Sequence, residues 1–133
     1  MSVYVTDTHP LVWFTLGRRS NLSKKVLRVF EEAETGDGFI YVPAIVLWEV
    51  ALLERGGKIK LDSGFLRWSE RVFANPGFGI APLEAEIIAL GAGYNINGDP
   101  FDETIAAFAA HLDLPLITKD NALTDSGLVE IYW

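Results

Sequence analysis

The sequence predicts an α/β protein, a three-layer α/β/α sandwich in which helices cover both faces of a mostly parallel, five-stranded sheet. Three observations predict this fold class. Short, continuously apolar segments alternate with helical segments along the chain, as in parallel sheets that are buried on both faces. The 133 residues, 50% of them apolar, can form one core without cysteine, which is absent. No repeat or linker interrupts the pattern, so we expect a single domain over residues 1–133.

The first half of the chain is predicted to contain two strands and three helical segments. In chain order these are a strand at 3–5, a helical turn at 10–14, a helix at 23–35, a strand at 39–42 and a helix at 43–55. Apolar runs identify both strands, and Ser23 is a good N-cap for the helix that follows it. Gly36 and Gly38 end that helix, while Pro43 suits the first turn of the next one.

The second half is predicted to contain three helices and three strands. These are a helix at 64–74, a strand at 78–81, helices at 83–92 and 100–111, and strands at 116–118 and 129–131. Asp99 and Pro100 supply the N-cap and the first position of the last helix. In a parallel sheet of this kind, functional side chains lie beyond the carboxyl ends of the strands, where the strand order reverses.

Composition and charge exclude several functional classes. Eighteen acidic and 11 basic residues give a net charge of −7, which argues against binding nucleic acid through a broad basic surface. The absence of cysteine excludes thiol chemistry, and two histidines are too few for a His-rich metal centre. No secretory signal or membrane-spanning segment is visible, so we expect a cytoplasmic protein. A mean hydropathy of +0.22 with four Trp and eight Phe indicates a surface that a partner covers.

Glu49 is the most informative acidic residue, because the helical segment around it, residues 43–53, is otherwise apolar. A carboxylate in such a helix must be paired, protonated or bound to a metal ion. A salt bridge to a distant cation, or local exposure, is the structural alternative. We favour a functional role, since a lone Glu in an apolar helix is rarely incidental.

Asp99 and Asp102 each have a structural explanation, as the N-cap and the third residue of the helix predicted at 100–111. Helical spacing separates the two. Asp102 shares its face with Ile105 and Ala106, small apolar residues that would pack on the sheet, whereas Asp99 sits at the cap. We therefore expect Asp102 to be the site residue and keep Asp99 as an additional candidate ligand.

Asp7 and Asp120 follow the first and fourth predicted strands. Each could simply cap a helix or a turn, so neither is informative alone. A parallel sheet would bring them to one edge together with Glu49 and Asp102. Four carboxylates at short range persist as anions only around a cation, and oxygen-only ligands suit Mg²⁺ or Mn²⁺. Such a site activates water against a phosphodiester.

The acidic motifs resemble those of a known family. They lie at residues 7–13 (DTHPLVW), 47–51 (LWEVA), 98–102 (GDPFD) with 105–107 (IAA), and 116–120 (LITKD). In order and spacing they resemble the PIN-domain ribonucleases, and among these the VapC-type toxins of bacterial and archaeal toxin–antitoxin pairs. The resemblance extends over nearly the whole chain, and the four motifs together are far more specific than any one of them.

The resemblance implies a PIN-like fold and an endoribonuclease that uses Mg²⁺ or Mn²⁺ to cut structured RNA, in several members tRNA. It places the metal ligands and catalytic residues at Asp7, Glu49, Asp102 and Asp120. We expect a 3′-hydroxyl and a 5′-phosphate as products, with Glu49 as general base or water-positioning residue. The resemblance also implies a homodimer and a cognate VapB-type antitoxin whose C-terminal segment lies in an apolar groove and can occupy the acidic site.

Two positions depart from the family pattern. Val46 stands where Ser or Thr often precedes the glutamate by three residues, and Glu103 stands where Arg commonly follows the aspartate at 102. Both departures leave a catalytically impaired, PIN-like binding module open as an alternative function. A phosphoacceptor signalling domain is a weaker alternative, because its middle acid would end a strand whereas Glu49 lies in a helix.

Few cations are placed to bind RNA. The basic clusters at 18–28 and 55–60 are typical of ordinary solvated surfaces, and Lys119 could simply pair with Asp120. We expect His9 to shape the first helical turn rather than to act in catalysis. The four tryptophans are expected in the core or at an interface rather than as base-stacking platforms.

Overall fold

A five-stranded, entirely parallel sheet forms the centre of the molecule, with strand order β3-β2-β1-β4-β5. The structure is a computed structural model that describes all 133 residues. The strands are β1 (Val3–Thr6), β2 (Phe39–Pro43), β3 (Phe78–Ala81), β4 (Leu116–Ile117) and β5 (Ile131–Tyr132). Because β1 lies between β2 and β4, the chain order reverses beside β1. The predicted fold class is confirmed, with a sheet that is fully rather than mostly parallel.

Seven helices connect and cover the strands. They are α1 (Thr8–Thr15), α2 (Lys24–Thr35), α3 (Ala44–Arg55), α4 (Gly64–Ala74), α5 (Ala85–Ala92), α6 (Pro100–Leu112) and α7 (Asn121–Ser126). A short 3-10 turn at Arg19–Asn21 lies between α1 and α2. The predicted N-caps Ser23 and Asp99 both accept a backbone N–H at the start of their helices, as expected from their positions.

The structure differs from the sequence prediction mainly at element ends. Helix α1 starts at Thr8, two residues before the predicted turn, because the Asp7 carboxylate accepts the Thr8 N–H at 2.7 Å and caps the helix there. Asp120 likewise caps a real helix, α7, where the sequence indicated only a turn. Strand β5 begins two residues later than predicted, since its ladder pairs Ile131 with Leu116.

One core of 28 buried apolar residues joins the sheet to the helices. Phe14 of α1 stacks on Phe30 of α2, with ring centroids 4.9 Å apart. Five consecutive residues of α6, 105–109, are buried, and α6 packs on α3, α5 and β1. This packing places the first turn of α6 beside the end of β1, so the core fixes the relative positions of the two segments that carry Asp7 and Asp102.

The surface keeps several large apolar side chains. Trp48, Leu66, Ile80 and Ile88 are each more than half exposed. Helix α3 is therefore not buried on every side, although its sequence is apolar all round; Trp48 projects outward while Val46 and Val50 are fully buried. None of the helices is both long enough and apolar enough to cross a membrane.

Candidate active site

A cavity of about 420 Å³ opens at the carboxyl edge of the sheet, where the strand order reverses between β1 and β4. We call it the acid cavity. Its nine lining residues are Asp7, His9, Pro10, Trp13, Glu49, Asp99, Asp102, Lys119 and Asp120. All five acidic residues singled out from the sequence thus border one space. They come from four separate segments: the end of β1, the middle of α3, the start of α6 and the segment after β4.

Asp7 is the most deeply placed of these acids, with only 6% of its surface exposed. Both of its carboxylate oxygens are held, because Oδ1 accepts the Thr8 N–H at 2.7 Å and Oδ2 accepts the Thr118 hydroxyl at 2.7 Å. Burial raises the pKa of Asp7, the charge of Glu49 raises it further, and the two hydrogen bonds oppose the rise. The side chain is therefore fixed in direction but is costly to keep ionised without a nearby cation.

Thr118 connects two of the acidic segments. Its fully buried hydroxyl donates to Asp7 and accepts the Asp120 N–H at 3.0 Å. Asp120 in turn accepts the Leu123 N–H through Oδ1 at 2.9 Å, which caps α7 and leaves Oδ2 without a protein donor. One hydroxyl thus sets the spacing between the end of β1 and the segment that carries Asp120.

Glu49 enters the cavity from α3 and is half-buried. The hydroxyl of Thr8 donates to its Oε1. Burial raises the pKa of Glu49, the charges of Asp102 and Asp99 add to the rise, and His9 and the Thr8 hydrogen bond oppose it. Position 46, where family members often carry a hydroxyl, holds a buried valine, but Thr8 supplies a hydroxyl to the glutamate from α1 instead.

Asp102 and Asp99 project from the first turn of α6. The pKa of Asp102 is raised to about 6. Burial is the largest cause and the charges of the neighbouring aspartates add to it, while the Asn97 amide opposes the rise by donating to Oδ2 at 2.8 Å. Asp99 caps α6 by accepting the Phe101 N–H at 2.8 Å. Asp99 thus has the structural role expected of it and also borders the cavity.

Glu103 does not add its charge to the acid cavity. Its Oε2 accepts the Ile96 N–H at 3.0 Å, and the residue is absent from the cavity lining. The carboxylate is thus turned toward the segment between α5 and α6. The residue that departs from the family pattern at this position therefore makes a loop contact and adds no sixth carboxylate to the cavity lining.

The donor chemistry of the cavity fits a hard divalent cation. As the side chains stand, no three Asp, Glu or His residues converge closely enough to form a metal site. Five carboxylates nevertheless border the space with no sulfur ligand, and mutual repulsion contributes to the raised pKa values of Asp7, Glu49 and Asp102. Oxygen-only ligands are those that Mg²⁺ and Mn²⁺ prefer, and a bound cation would relieve this repulsion.

Three side chains that hold the acids in place, those of Thr8, Asn97 and Thr118, were not predicted from the sequence. Thr8 follows Asp7 directly, and Thr118 precedes Asp120 by two residues. Asn97 precedes Asp102 by five residues, in a polar segment where an amide has no periodic pattern to mark it. The two threonines could have been predicted as supporting residues, because each lies within two residues of an acid that follows a strand. His9, expected only to shape the helix start, is exposed and borders the cavity.

The protein therefore belongs to the α/β class with a parallel sheet and an acidic site at the sheet edge. Carboxylates from four segments meet there, at the point where the strand order reverses. The chain belongs to the PIN domain family, whose model it matches over residues 4–126. The predicted family assignment is confirmed. A comparison with curated protein sequences gives no significant match.

Several solved structures share the fold. VapBC2 from Rickettsia felis, bound to a DNA fragment from its promoter, is 16% identical with a TM-score of 0.70, and the match covers 98% of each chain. FitAcB from Neisseria gonorrhoeae is 20% identical with a TM-score of 0.64, covering 98% of this chain and 96% of that one. A toxin–antitoxin complex from Klebsiella pneumoniae is 16% identical with a TM-score of 0.63, covering 95% and 94%. At these identities the likeness establishes the fold.

Proposed function

We propose that the protein is a divalent-metal-dependent endoribonuclease and the toxin of a toxin–antitoxin pair, acting in the cytoplasm as a single PIN domain over residues 1–133. The observation that carries this proposal is the acid cavity, in which carboxylates from four segments meet at the reversal point of the sheet. Membership of the PIN family and the likeness to toxin–antitoxin structures support it. The substrate is structured RNA, with tRNA as the first class to test.

The metal ligands in this proposal are Asp7, Glu49, Asp102 and Asp120, with Asp99 as an additional candidate. Mg²⁺ or Mn²⁺ bound by them would neutralise charge on the phosphodiester and lower the pKa of water for attack on phosphorus. The four proposed ligands lie on different segments that the fold holds together.

Residues of the protein orient the proposed ligands and accept the proton from water. Thr118 and the Thr8 N–H fix Asp7, so its carboxylate is preorganised. Glu49 is proposed as general base or water-positioning residue, because its half-buried position raises its pKa toward the range in which a carboxylate accepts a proton effectively. The Thr8 hydroxyl holds Glu49 in the direction of the cavity.

A second concave region is proposed as the binding site for an antitoxin segment. A groove of about 510 Å³ lies between α1, α4 and the start of β3; we call it the α1–α4 groove. Its apolar floor includes Phe14, Trp68 and Phe78, and four cations border it against two acids. An amphipathic segment with apolar anchors and some acidic side chains would suit this lining. The structural neighbour from Klebsiella is itself a toxin–antitoxin complex.

A homodimer is also part of the proposal. Trp48, Ile80 and Ile88 are more than half exposed on a molecule with only 133 residues. Contiguous apolar patches of this kind of side chain mark interaction surfaces, and we propose that these residues contribute to one. Sedimentation velocity of the purified protein would give the mass directly, and a monomer at micromolar concentration would contradict the dimer.

The proposed activity is tested with purified protein and structured RNA, including total tRNA, in Mn²⁺, in Mg²⁺ and in chelator. We expect cleavage that needs the metal, that leaves a 3′-hydroxyl and a 5′-phosphate, and that Asp7→Asn abolishes. Cleavage in chelator, or equal cleavage by the variant, would contradict the mechanism. Binding of RNA without cleavage under all conditions would instead favour the catalytically impaired binding module.

A further inference from the structure

Four residues at the acid cavity form a run of neighbouring side chains that contains no carboxylate. His9 and Trp13 from α1 and Lys119 from the segment after β4 border the cavity, and Trp133 lies next to both Trp13 and Lys119. We call these four residues the basic-aromatic wall. His9 and Lys119 are exposed, while Trp13 and Trp133 are half-buried. None of these four residues is a proposed metal ligand, and no substrate contact has been assigned to them.

The rings of the wall form a continuous run. His9 and Trp13 are four residues apart on α1 and therefore share a face, with ring centroids 5.9 Å apart. The ring of Trp133 meets that of Trp13 edge-on, with centroids 6.3 Å apart. An exposed imidazole next to a half-exposed indole, at the rim of a polar cavity, offers aromatic surface to a planar ligand.

Lys119 has no ionic partner in the protein. It follows β4 and precedes Asp120, yet the two ion pairs of the molecule are Arg19–Glu34 and Arg67–Glu70. Its ammonium instead lies 6.0 Å from the centroid of the Trp133 ring. A lysine that stays unpaired at the rim of a cavity with five carboxylates is free to contact an anion from outside the protein.

We propose that the basic-aromatic wall is a nucleotide subsite, in which Lys119 binds a phosphate next to the scissile one and the Trp13–His9 rings stack on the base of that nucleotide. The inference rests on the proposed ribonuclease function and assigns contacts with one nucleotide of the substrate to these residues. A base can reach an aromatic side chain only when it is unpaired and unstacked, so a single-stranded oligonucleotide is the right probe for this subsite.

Equilibrium binding in chelator tests the subsite apart from catalysis. The probe is a fluorescein-labelled, single-stranded oligouridylate of about 12 nucleotides, a length that exceeds the footprint of most single-strand sites. We expect Trp13→Leu to weaken binding about 10-fold, as for the loss of one base-stacking ring, and Trp13→Phe to keep most of the affinity. Lys119→Met should lower the slope of log K against log salt by about 0.7, the value for one phosphate contact on a single strand.

Matched controls lie outside the cavity. Phe73→Leu removes a half-exposed aromatic ring from α4, and Lys58→Met removes an exposed lysine from the turn after α3. Neither should change affinity or salt slope. Oligonucleotides with abasic positions test the stacking contact from the ligand side. The wild type should bind an abasic oligonucleotide about as weakly as Trp13→Leu binds oligouridylate. Trp13→Leu should bind the abasic oligonucleotide and oligouridylate with equal affinity.

The outcomes separate this inference from the proposed function. If the wild type cleaves RNA with metal while Trp13→Leu and Lys119→Met bind and cleave like it, the subsite is wrong and the ribonuclease stands. If the binding differences hold but no RNA is cleaved, the subsite stands and the reaction is wrong. Equal losses in the control variants, or no detectable binding of any oligonucleotide by the wild type, would overturn the subsite.

Discussion

The acid cavity and the α1–α4 groove use charge in opposite ways. In the groove, Arg19 pairs with Glu34 at 3.5 Å and lies over the Phe14 ring, and Arg71 donates to the Asp62 carbonyl at 3.1 Å. In the acid cavity, five carboxylates have no ion pair at all, and burial with mutual repulsion raises the pKa values of three of them. Two of the four cations of the groove, Arg19 and Arg71, thus have partners within the chain, whereas the acid cavity needs a cation from outside it.

This difference indicates which region carries chemistry. Unpaired acids that are partly buried cost stability, so a fold keeps them only where they perform a function. In the groove Glu34 is paired and Asp62 is exposed, and the apolar floor suits binding rather than reaction. Substitutions that are alike in chemistry but placed in the two regions should therefore have different effects.

The largest effect is expected from changing an acid to its amide in each region. Loss of a hydrogen bond that supports a metal ligand typically lowers activity by roughly 10- to 100-fold. Asp7→Asn should lower the rate of RNA cleavage by more than this, because it removes a proposed ligand itself. Glu34→Gln, the matched change in the groove, should leave cleavage unchanged. Initial rates on one RNA substrate in Mn²⁺ measure both. Equal losses in the two variants would mean that the contrast between the regions is not catalytic.

Two threonine hydroxyls, one in each region, allow a second comparison between the acid cavity and the groove. Thr118 donates to Asp7, and Thr15 in the groove accepts the Trp68 Nε1–H at 3.0 Å. Replacing either by valine should destabilise the protein by about 1–3 kcal/mol, since each leaves a polar group without its partner. Only Thr118→Val should also weaken Mn²⁺ binding, by about 10-fold, and Thr118→Ser should restore it.

Calorimetric titration with Mn²⁺ and urea unfolding together measure these variants. Loss of metal affinity in Thr15→Val to the same degree would show that Thr118 has no special role in the site. Unchanged metal affinity in Thr118→Val would show that Asp7 does not depend on its hydrogen bond for orientation.

The sequence could predict the fold and the set of acids because both depend on periodic or local signals. Apolar runs marked the strands, and Asp7, Asp99 and Asp120 stand where parallel strands end or helices begin. It could not predict how the acids are held. The contacts from Thr118 to Asp7 and from Thr8 to Glu49 join residues that are 111 and 41 positions apart, and only the sheet order brings them together.

The same limit explains the side chains whose surroundings were misjudged. Helix α3 is apolar all round in sequence, yet Trp48 is 58% exposed because the helix packs on one side only. Glu103 stands next to Asp102 in sequence, but successive helical residues point about 100° apart, and its carboxylate contacts Ile96 instead of the cavity. Which face a helix buries is decided by its neighbours in space.

A smaller effect concerns pH. The pKa of Asp102 is raised from 3.8 to about 6, so between these values the folded protein holds a proton that the unfolded chain releases. In the metal-free protein, the contribution of Asp102 to the free energy of unfolding is therefore greatest below about pH 4 and falls as the pH rises toward 6. Thermal unfolding in chelator should show that Tm of the wild type declines over this window relative to Asp102→Asn.

Metal should reverse this trend, because cation binding favours the deprotonated carboxylates. At a Mn²⁺ concentration about 100-fold above Kd, we expect Tm to rise on the order of 5–10 °C well above pH 6 and much less below it. A stabilisation by Mn²⁺ that does not vary with pH would show that Asp102 is not a ligand.

The smallest effect is expected at Glu103. Glu103→Gln keeps an oxygen that can accept the Ile96 N–H and removes only the charge, so RNA cleavage should stay within about 2-fold of the wild type. Glu103→Arg restores the residue type common in the family but loses this acceptor, and should lower stability by about 1 kcal/mol. Cleavage rates and urea unfolding measure the pair. A 10-fold gain in Glu103→Gln would mean that the Glu103 charge reaches the acid cavity, and that its contact with Ile96 does not keep it away from the reacting phosphate.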